Sequence, residues 1–214
     1  MPRMNPLEHS FGSLPDLIHL HAQRRGQHPA LICNGRTLDY AGLDRQMDQV
    51  ATRLQQAGLQ PGDVIALCAT SSIEYVVAFM GGLRAGVIAA PLAPSSSAAH
   101  LQAMLDNAQP RVLFLDADAL GRLPATAAQD WPVVSLDNGP TGEAWQAWLA
   151  AAGPDPHPQA VSPQPDWAFN LIYSSGTTGV PKGILQPWSM RWAQIQRGHA
   201  NRYDERTVNL VATP

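Results

Sequence analysis

The chain has 214 residues, of which 14% are charged, and its formal net charge is −3 at pH 7. This length is sufficient for one sizeable hydrophobic core. The small negative charge and the lack of a basic run argue against a nucleic-acid partner. Its two cysteines, Cys33 and Cys68, lack metal-ligand spacing and are typical of buried thiols in a reducing compartment.

The N-terminus and the longest apolar stretch bear on localisation. Residues Met1–Leu20 contain prolines and carboxylates but no apolar core, so a signal peptide is not predicted. The apolar stretch Tyr75–Leu92 is interrupted by Arg84 and by glycines, and it is too short for a membrane span. Together these features predict a cytoplasmic protein without a transmembrane segment.

A helix and a hairpin are predicted near the N-terminus. Ser13 followed by Asp16 is typical of a capped helix start, and that helix is expected to end near Arg25. The dipeptide Asn34-Gly35 lies between two runs of strand-forming residues. Because both residues tolerate a positive φ, this pair predicts a two-residue hairpin turn.

Strands and helices then alternate along the chain. Strands are predicted over residues 64–69, 87–90, 111–115 and 133–136, and helices over 43–54, 72–86, 100–107 and 143–152. This alternation favours βαβ units and a parallel sheet.

A proline-rich segment divides the chain. Residues 153–165 contain five prolines, which is typical of an exposed linker. We therefore predict an N-terminal α/β subdomain over residues 1–152. A nucleotide-binding subdomain is predicted to begin at residue 166 and to continue to residue 214.

Residues 173–183 carry the strongest functional signal, with the sequence Tyr-Ser-Ser-Gly-Thr-Thr-Gly-Val-Pro-Lys-Gly. Glycines and small hydroxyl residues let backbone N–H groups converge on an anion, because no bulky side chain blocks the approach. Lys182 adds a mobile positive charge suited to phosphate oxygens. A solvated surface loop is the alternative, since these residue types are common in loops. The order of residues favours a nucleotide-phosphate loop.

Other known phosphate loops do not fit this segment. The common P-loop places Gly directly before its Lys and Ser or Thr directly after it, whereas here Pro181 precedes Lys182 and Gly183 follows it. An ATPase of that class is therefore disfavoured, and the residues after Lys182 are predicted to be extended. A serine hydrolase is also disfavoured, since no G-x-S-x-G element surrounds Ser174 or Ser175.

The loop resembles the signature loop of the adenylate-forming superfamily, which includes acyl- and aryl-CoA ligases, firefly luciferase and peptide-synthetase adenylation domains. Three upstream segments, residues 36–43, 58–67 and 75–91, resemble other conserved segments of that family. The resemblance implies an α/β fold, the N-terminal part of the adenylate-forming enzyme fold, with a parallel-rich β-sheet flanked by helices.

The resemblance also implies an activity. Family members activate a carboxylic acid with ATP to form an acyl-adenylate, and then transfer the acyl group to a thiol, usually that of coenzyme A. The implied cofactors are ATP, Mg²⁺ and coenzyme A as co-substrate, and the loop sequence favours a CoA ligase of fatty or aromatic acids. The implied ATP-phosphate contacts are Ser174, Ser175, Gly176, Thr177, Thr178, Gly179 and Lys182. Of these, Lys182 and Thr178 would act in catalysis.

Two departures from the family pattern are visible. Many members have a histidine where this chain has Trp188, which with Trp192 is predicted to serve helix packing. Family enzymes are also much longer, so the chain is expected to be the N-terminal part of such an enzyme. Its last segment, residues 207–214, resembles the strand before the acyl or aryl pocket. A truncated, non-catalytic nucleotide-binding or interaction protein is the alternative.

The seven histidines do not form a predicted metal site. His19 and His21 are two residues apart on a predicted helix and therefore do not share a face. The remaining histidines are scattered, so surface positions are favoured over metal ligands, and no metal-binding residue is assigned.

Overall fold

A seven-stranded, mostly parallel sheet organises the chain in a computed structural model. The structure describes residues 6–123, 130–174, 181–201, 203–204 and 206–211. The helices are α1 (Leu14–Arg25), α2 (Tyr40–Gln56), α3 (Ile73–Arg84), α4 (Ala98–Ala108), α5 (Ala117–Leu120), α6 (Trp145–Ala150) and α7 (Trp188–Ala200). A short 3₁₀ turn, Pro6–Glu8, precedes them.

The strands are β1 (Pro29–Cys33), β2 (Arg36–Asp39), β3 (Val64–Cys68), β4 (Ile88–Pro91), β5 (Val112–Leu115), β6 (Val133–Ser135), β7 (Glu143–Ala144), β8 (Ala168–Ser174) and β9 (Lys182–Pro187). Strands β1 and β2 form a separate antiparallel hairpin. The large sheet has the order β7-β6-β5-β3-β4-β8-β9, and only its last pair is antiparallel. The predicted α/β class with a parallel-rich sheet is confirmed.

The predicted start of the first helix and the predicted hairpin are both confirmed. The Ser13 hydroxyl accepts a hydrogen bond from the backbone N–H of Asp16 at 3.2 Å, which satisfies one of the free donors of the first turn. At the turn of the hairpin, Asn34 has a φ of 50° and Gly35 a φ of 73°. Positive values at both positions are those of the tight turn that matches the twist of its strands.

Strands β3 and β5 are buried because helices cover both faces of the sheet. Ile65 and Leu67 of β3 pack in one apolar cluster with α2, α3 and α6. Ala66 and Cys68 point to the other face and pack with α4 and α5. This alternation follows from the two-residue period of a strand, and it explains why the sequence of β3 is apolar throughout.

Helices α2 and α3 pack closely because α3 contains a glycine at the contact. A Cβ on Gly81 would lie 2.4 Å from Cβ of Val50 and 3.1 Å from the backbone oxygen of Met47. Both of these residues are fully buried in α2. Only glycine therefore permits this approach.

The prediction of one continuous helix over residues 143–152 is wrong at its start. Glu143 and Ala144 form β7, which pairs in parallel with Val134 and Ser135 of β6. The helix begins only at Trp145, whose buried indole stacks on that of Trp148 at 5.8 Å. The free edge of β6 pairs with Glu143 and Ala144, and this tertiary pairing outweighs the helical pattern of their local sequence.

The strand expected over residues 207–214 is not observed in its described part, residues 207–211. Residues 207–211 are neither helix nor strand, and Val208 and Leu210 are 86% and 91% exposed. Among the described strands none pairs with this segment, so its apolar sequence alone does not make it extended and buried. Residues 212–214 lie outside the described residues.

The segment 153–165 lies on the surface and is fastened to α2. The side-chain amide of Gln55 donates to the backbone oxygen of Gln159 at 3.0 Å, and its oxygen accepts from the N–H of Gln159 at 2.8 Å. The strands on either side of this segment belong to one sheet. A division of the chain into subdomains at 1–152, 153–165 and 166–214 stays a prediction. None of the helices in the described ranges has the length and apolarity needed to cross a membrane.

Replacing Gly81 with alanine tests the close contact between α2 and α3. The added methyl group overlaps Val50, so we expect Gly81→Ala to lower the free energy of unfolding by roughly 1–3 kcal/mol. Urea unfolding followed by circular dichroism measures this change. Gly121→Ala is the matched control, because its added Cβ would have only ordinary contacts at 3.6 Å. Equal effects of the two substitutions would contradict the packing argument.

Candidate functional site

The strands on either side of the predicted phosphate loop form an antiparallel pair. Tyr173 in β8 lies opposite Gly183 in β9, and Ser174 lies opposite Lys182. The extended conformation predicted after Lys182 is thereby confirmed. Ser174 and Lys182 are both exposed at the end of the pair. The other predicted loop residues, Ser175, Gly176, Thr177, Thr178 and Gly179, lie outside the described residues.

The sheet fixes the edge at which this loop emerges. Strand β8 runs parallel to β4, with Ala89 paired to Asn170, and β4 runs parallel to β3. The carboxyl ends of these three strands therefore meet at one edge of the sheet. In open α/β sheets, ligands bind outside the carboxyl ends of the strands.

Lys182 has two features that suit an anion site. It is the only lysine in the chain, whose other basic residues are arginines and histidines. In the part of the chain that the structure describes, no carboxylate forms an ion pair with its side chain. Its exposed ammonium group is therefore available to phosphate oxygens at the end of the β8–β9 pair.

Tyr173 ties the start of the loop to helix α4. Its hydroxyl oxygen lies 2.8 Å from Oδ1 of Asn107 and 3.0 Å from the backbone oxygen of Met104. Burial raises the pKa of Tyr173 to about 12, so the hydroxyl stays protonated at neutral pH and acts as a donor. Sequence reasoning missed Asn107, because it belongs to no motif and is distant from the loop along the chain.

A cavity of about 850 Å³ lies beside the loop at the same edge of the sheet. Its walls come from β1, the segments after β3 and β4, the start of α3, helix α4, the end of β8 and residues 209–211. Ser174 and Pro181 line the side next to the loop. Most other walls are apolar, including Ile73, Leu92 and Ile172. The cavity can hold an apolar group next to Ser174 and Pro181.

The topological switch point of the sheet lies between β3 and β5, because the chain leaves these strands in opposite directions. Asp116 closes this crevice from the end of β5. Its carboxylate accepts from the N–H of Thr70 at 2.7 Å, from the Thr70 hydroxyl at 2.8 Å and from the N–H of Ala119 at 2.8 Å. Only a smaller cavity of about 350 Å³ remains there.

Helix α7, which follows the loop, is held by its tryptophans. Trp188 packs edge-on against Phe169 at 4.9 Å, and both Trp188 and Trp192 are buried. The Trp192 indole N–H donates to the backbone oxygen of His9 at 3.2 Å. The prediction that these tryptophans serve helix packing is confirmed. Trp188, which stands where many family members have a histidine, therefore lies in the core and does not line the cavity.

The described residues do not form a metal cage. They contain no group of three or more histidines, cysteines and carboxylates that could hold a metal ion. His19 instead contacts Asp44 at 2.9 Å and Gln23 at 2.8 Å.

Comparison with known proteins agrees with this geometry. Residues 18–208 match the family of AMP-binding enzymes. The chain belongs to this family. It is therefore a member of the adenylate-forming superfamily, and the resemblance stated from its sequence is confirmed.

Two curated relatives illustrate the range of the family. Over 187 residues the chain is 33% identical to the fatty acid–[acyl-carrier-protein] ligase ScoC of Streptomyces coeruleorubidus, covering 85% of this chain and 34% of that protein. It is 30% identical over 173 residues to a dimodular nonribosomal peptide synthase of Bacillus subtilis, covering 81% of this chain and 7% of that protein. The chain thus spans about a third or less of their lengths.

A solved structure confirms the fold. The anthranilate CoA ligase AuaEII, crystallised with anthranoyl-AMP, superimposes with a TM-score of 0.76 and 23% identity, covering 85% of this chain and 36% of that protein. The structure of this chain therefore has the fold of the N-terminal part of adenylate-forming ligases.

Replacing Asp116 tests its role at the switch point. Asp116→Ala leaves the Thr70 N–H without its acceptor and removes the cap of α5, so we expect a loss of roughly 2–3 kcal/mol in the free energy of unfolding. Thermal and urea unfolding measure this loss. Asp118→Ala, at an exposed position two residues away, serves as the control and should change stability by less than about 0.5 kcal/mol. An equally small loss of stability in Asp116→Ala would contradict the structural role given to the hydrogen bonds of Asp116.

Proposed function

We propose that this chain is the N-terminal part of an AMP-forming acid–thiol ligase, which activates a carboxylic acid with ATP and transfers it to a thiol. The observation that carries the proposal is the position of Ser174 and Lys182. They lie opposite each other at the exposed end of the β8–β9 pair, at the edge of the sheet where ligands bind. Membership of the AMP-binding enzyme family supports the same chemistry.

The first step forms the acyl-adenylate. A carboxylate oxygen of the acid attacks the α-phosphorus of ATP, and the bond from that phosphorus to the bridging oxygen of pyrophosphate breaks. Negative charge grows on the departing pyrophosphate. Lys182, with the hydroxyl and backbone donors of residues 174–179, would bind the β- and γ-phosphates and stabilise this charge. Mg²⁺ bound to ATP supplies further neutralisation of the phosphates when present.

The second step transfers the acyl group. A thiolate sulfur attacks the acyl carbon, the bond between that carbon and the AMP oxygen breaks, and AMP leaves with the electron pair. The loop then has no further role in bond breaking, because pyrophosphate has already left.

The thiol acceptor has two candidates. The sequence favours coenzyme A, and the structural relative AuaEII is described as a CoA ligase. The curated relative ScoC is described as a ligase of an acyl-carrier protein, which favours a carrier-bound thiol. Incubation of the protein with ATP, a fatty or aromatic acid and either acceptor decides between them, with the thioester product measured by mass spectrometry.

ATP–pyrophosphate exchange tests the first step. We expect the protein produced from its complete coding frame to catalyse exchange only with a suitable acid, from a panel that includes fatty acids and anthranilate. Lys182→Ala should lower the exchange rate about a hundredfold, because one preorganised charge on the leaving group is lost. Lys182→Arg keeps the charge and should retain more of the activity.

An exposed arginine far from the loop provides the control. Arg45→Ala removes one positive charge from the surface of α2 and should leave the exchange rate unchanged. Exchange without any acid, or equal rates for Lys182→Ala and the unmodified protein, would contradict the proposed function.

A further inference from the structure

Asn107 contacts the first strand of the phosphate loop. It lies in the last turn of α4, and its Oδ1 atom is 2.8 Å from the hydroxyl oxygen of Tyr173. The single hydrogen of this hydroxyl is donated either to Asn107 or to the backbone oxygen of Met104 at 3.0 Å. Both acceptors belong to α4, so either bond ties β8 to the same helix one residue before Ser174.

Asn107 also lies close to the backbone of the second strand of the loop. A Cβ on Gly183 would lie 2.9 Å from Oδ1 of Asn107, 2.9 Å from Cδ1 of Leu171 and 3.3 Å from Cε1 of Tyr173. The backbone of β9 can approach α4 this closely only because Gly183 has no side chain. Gly183 is adjacent to Lys182, so this contact fixes the backbone that carries the lysine.

Helix α4 is itself a firm support for this contact. Its buried face, formed by Leu101, Leu105 and Ala108, packs in the apolar cluster on one side of the sheet. The hydroxyl of Ser97 caps its first turn by accepting from the N–H of His100 at 3.3 Å. A helix fixed at its start and along its buried face can hold the strands of a neighbouring loop.

We infer that Asn107 is a positioning residue, which holds both strands of the phosphate loop through the Tyr173 hydroxyl on β8 and the bare backbone of Gly183 on β9. It thereby fixes the position of Ser174 and Lys182 relative to α4. The consequence for phosphate binding rests on the proposed function, whereas the contact itself does not. Asn107 does not touch the reacting atoms.

Hydrogen exchange of the 214-residue chain without ligand tests the contact directly. Tyr173→Phe and Asn107→Ala each remove the hydrogen bond between the Tyr173 hydroxyl and Oδ1 of Asn107, so amides of residues 171–174 and 182–186 should exchange roughly fivefold faster. Combining the two substitutions should add little further, because they remove the same bond. Asn107→Asp keeps an acceptor for the Tyr173 hydroxyl and should preserve slow exchange.

Asp106→Ala is the matched control on the same helix. Asp106 is exposed, adjacent to Asn107, and accepts a hydrogen bond from Gln102 within α4 at 2.7 Å. It makes no bond to β8 or β9 among the described residues. Its replacement should leave exchange in both strands unchanged, and all variants should share the urea midpoint of the unmodified chain within about 0.5 M.

The single lysine gives a second readout, which reports on phosphate binding. An amine-reactive acylating reagent labels only Lys182 and the N-terminal amine, so mass spectrometry of the peptide containing Lys182 follows one site. Magnesium ATP should slow this labelling in the unmodified chain. The ATP concentration for half protection should rise roughly fivefold in Tyr173→Phe and Asn107→Ala, and should not change in Asp106→Ala.

The outcomes separate this inference from the proposed function. Faster exchange in both variants with weaker ATP protection supports the inference. Unchanged hydrogen exchange in both variants overturns the inference, whether or not ATP protection changes. Faster hydrogen exchange with unchanged ATP protection of Lys182 also overturns it. Absence of ATP protection in the unmodified chain counts against the proposed function, and the hydrogen-exchange comparison alone then decides whether Asn107 holds the two strands.

Discussion

The parallel pairing of β8 with β4 is the contact on which the rest of the site depends. It joins the chain after residue 165 to the sheet formed by the preceding residues. Phe169 of β8 packs with Leu83 of α3 and with Trp188 of α7, so the strand is fixed on its buried side as well as at its edge. Because β8 runs parallel to β4, its carboxyl end reaches the ligand-binding edge of the sheet. An antiparallel β8 would carry the phosphate loop to the opposite edge.

Arg84 and Lys182 occupy two different kinds of position, which match the chemistry of their side chains. Arg84 lies between α2 and α3 with its guanidinium bonded to Asp44 at 2.5 Å and to Asp48 at 2.8 Å, and Asp44 also contacts His19. A planar guanidinium with several donors suits such a fixed, half-buried network. Lys182, the only lysine, instead lies exposed at the end of the β8–β9 pair, and the proposed role there is to bind phosphate oxygens with a compact, mobile charge.

The switch point of the sheet shows that topology alone does not locate a ligand. The general rule places ligands where neighbouring loops diverge, which is between β3 and β5 in this fold. Asp116 lines a smaller cavity there and bonds to Thr70 and Ala119, so its carboxylate is satisfied within the protein. The larger cavity lies on the other side of β3, next to the loop after β8. Side-chain chemistry therefore decides which part of the edge is open.

The sequence by itself determined the features that depend only on residues close together along the chain. The cap at Ser13, the turn at Asn34-Gly35 and the extended residues after Lys182 follow from local backbone preferences, and the structure agrees with each. The order of hydroxyls, glycines and lysine in residues 173–183 also identified the family from the sequence, whereas the phosphate-binding role of these residues stays a prediction. The alternation of strands and helices similarly predicted the parallel sheet.

Only the tertiary structure decided the features that join distant parts of the chain. The pairing of Glu143 and Ala144 with β6 outweighs their helical pattern, and residues 207–211 are not a strand because no described strand lies beside them. The contact of Asn107 with Tyr173 spans 66 positions of sequence, and no local pattern marks it. Such contacts form only when the sheet brings separate segments together, which is why a single sequence read locally does not predict them.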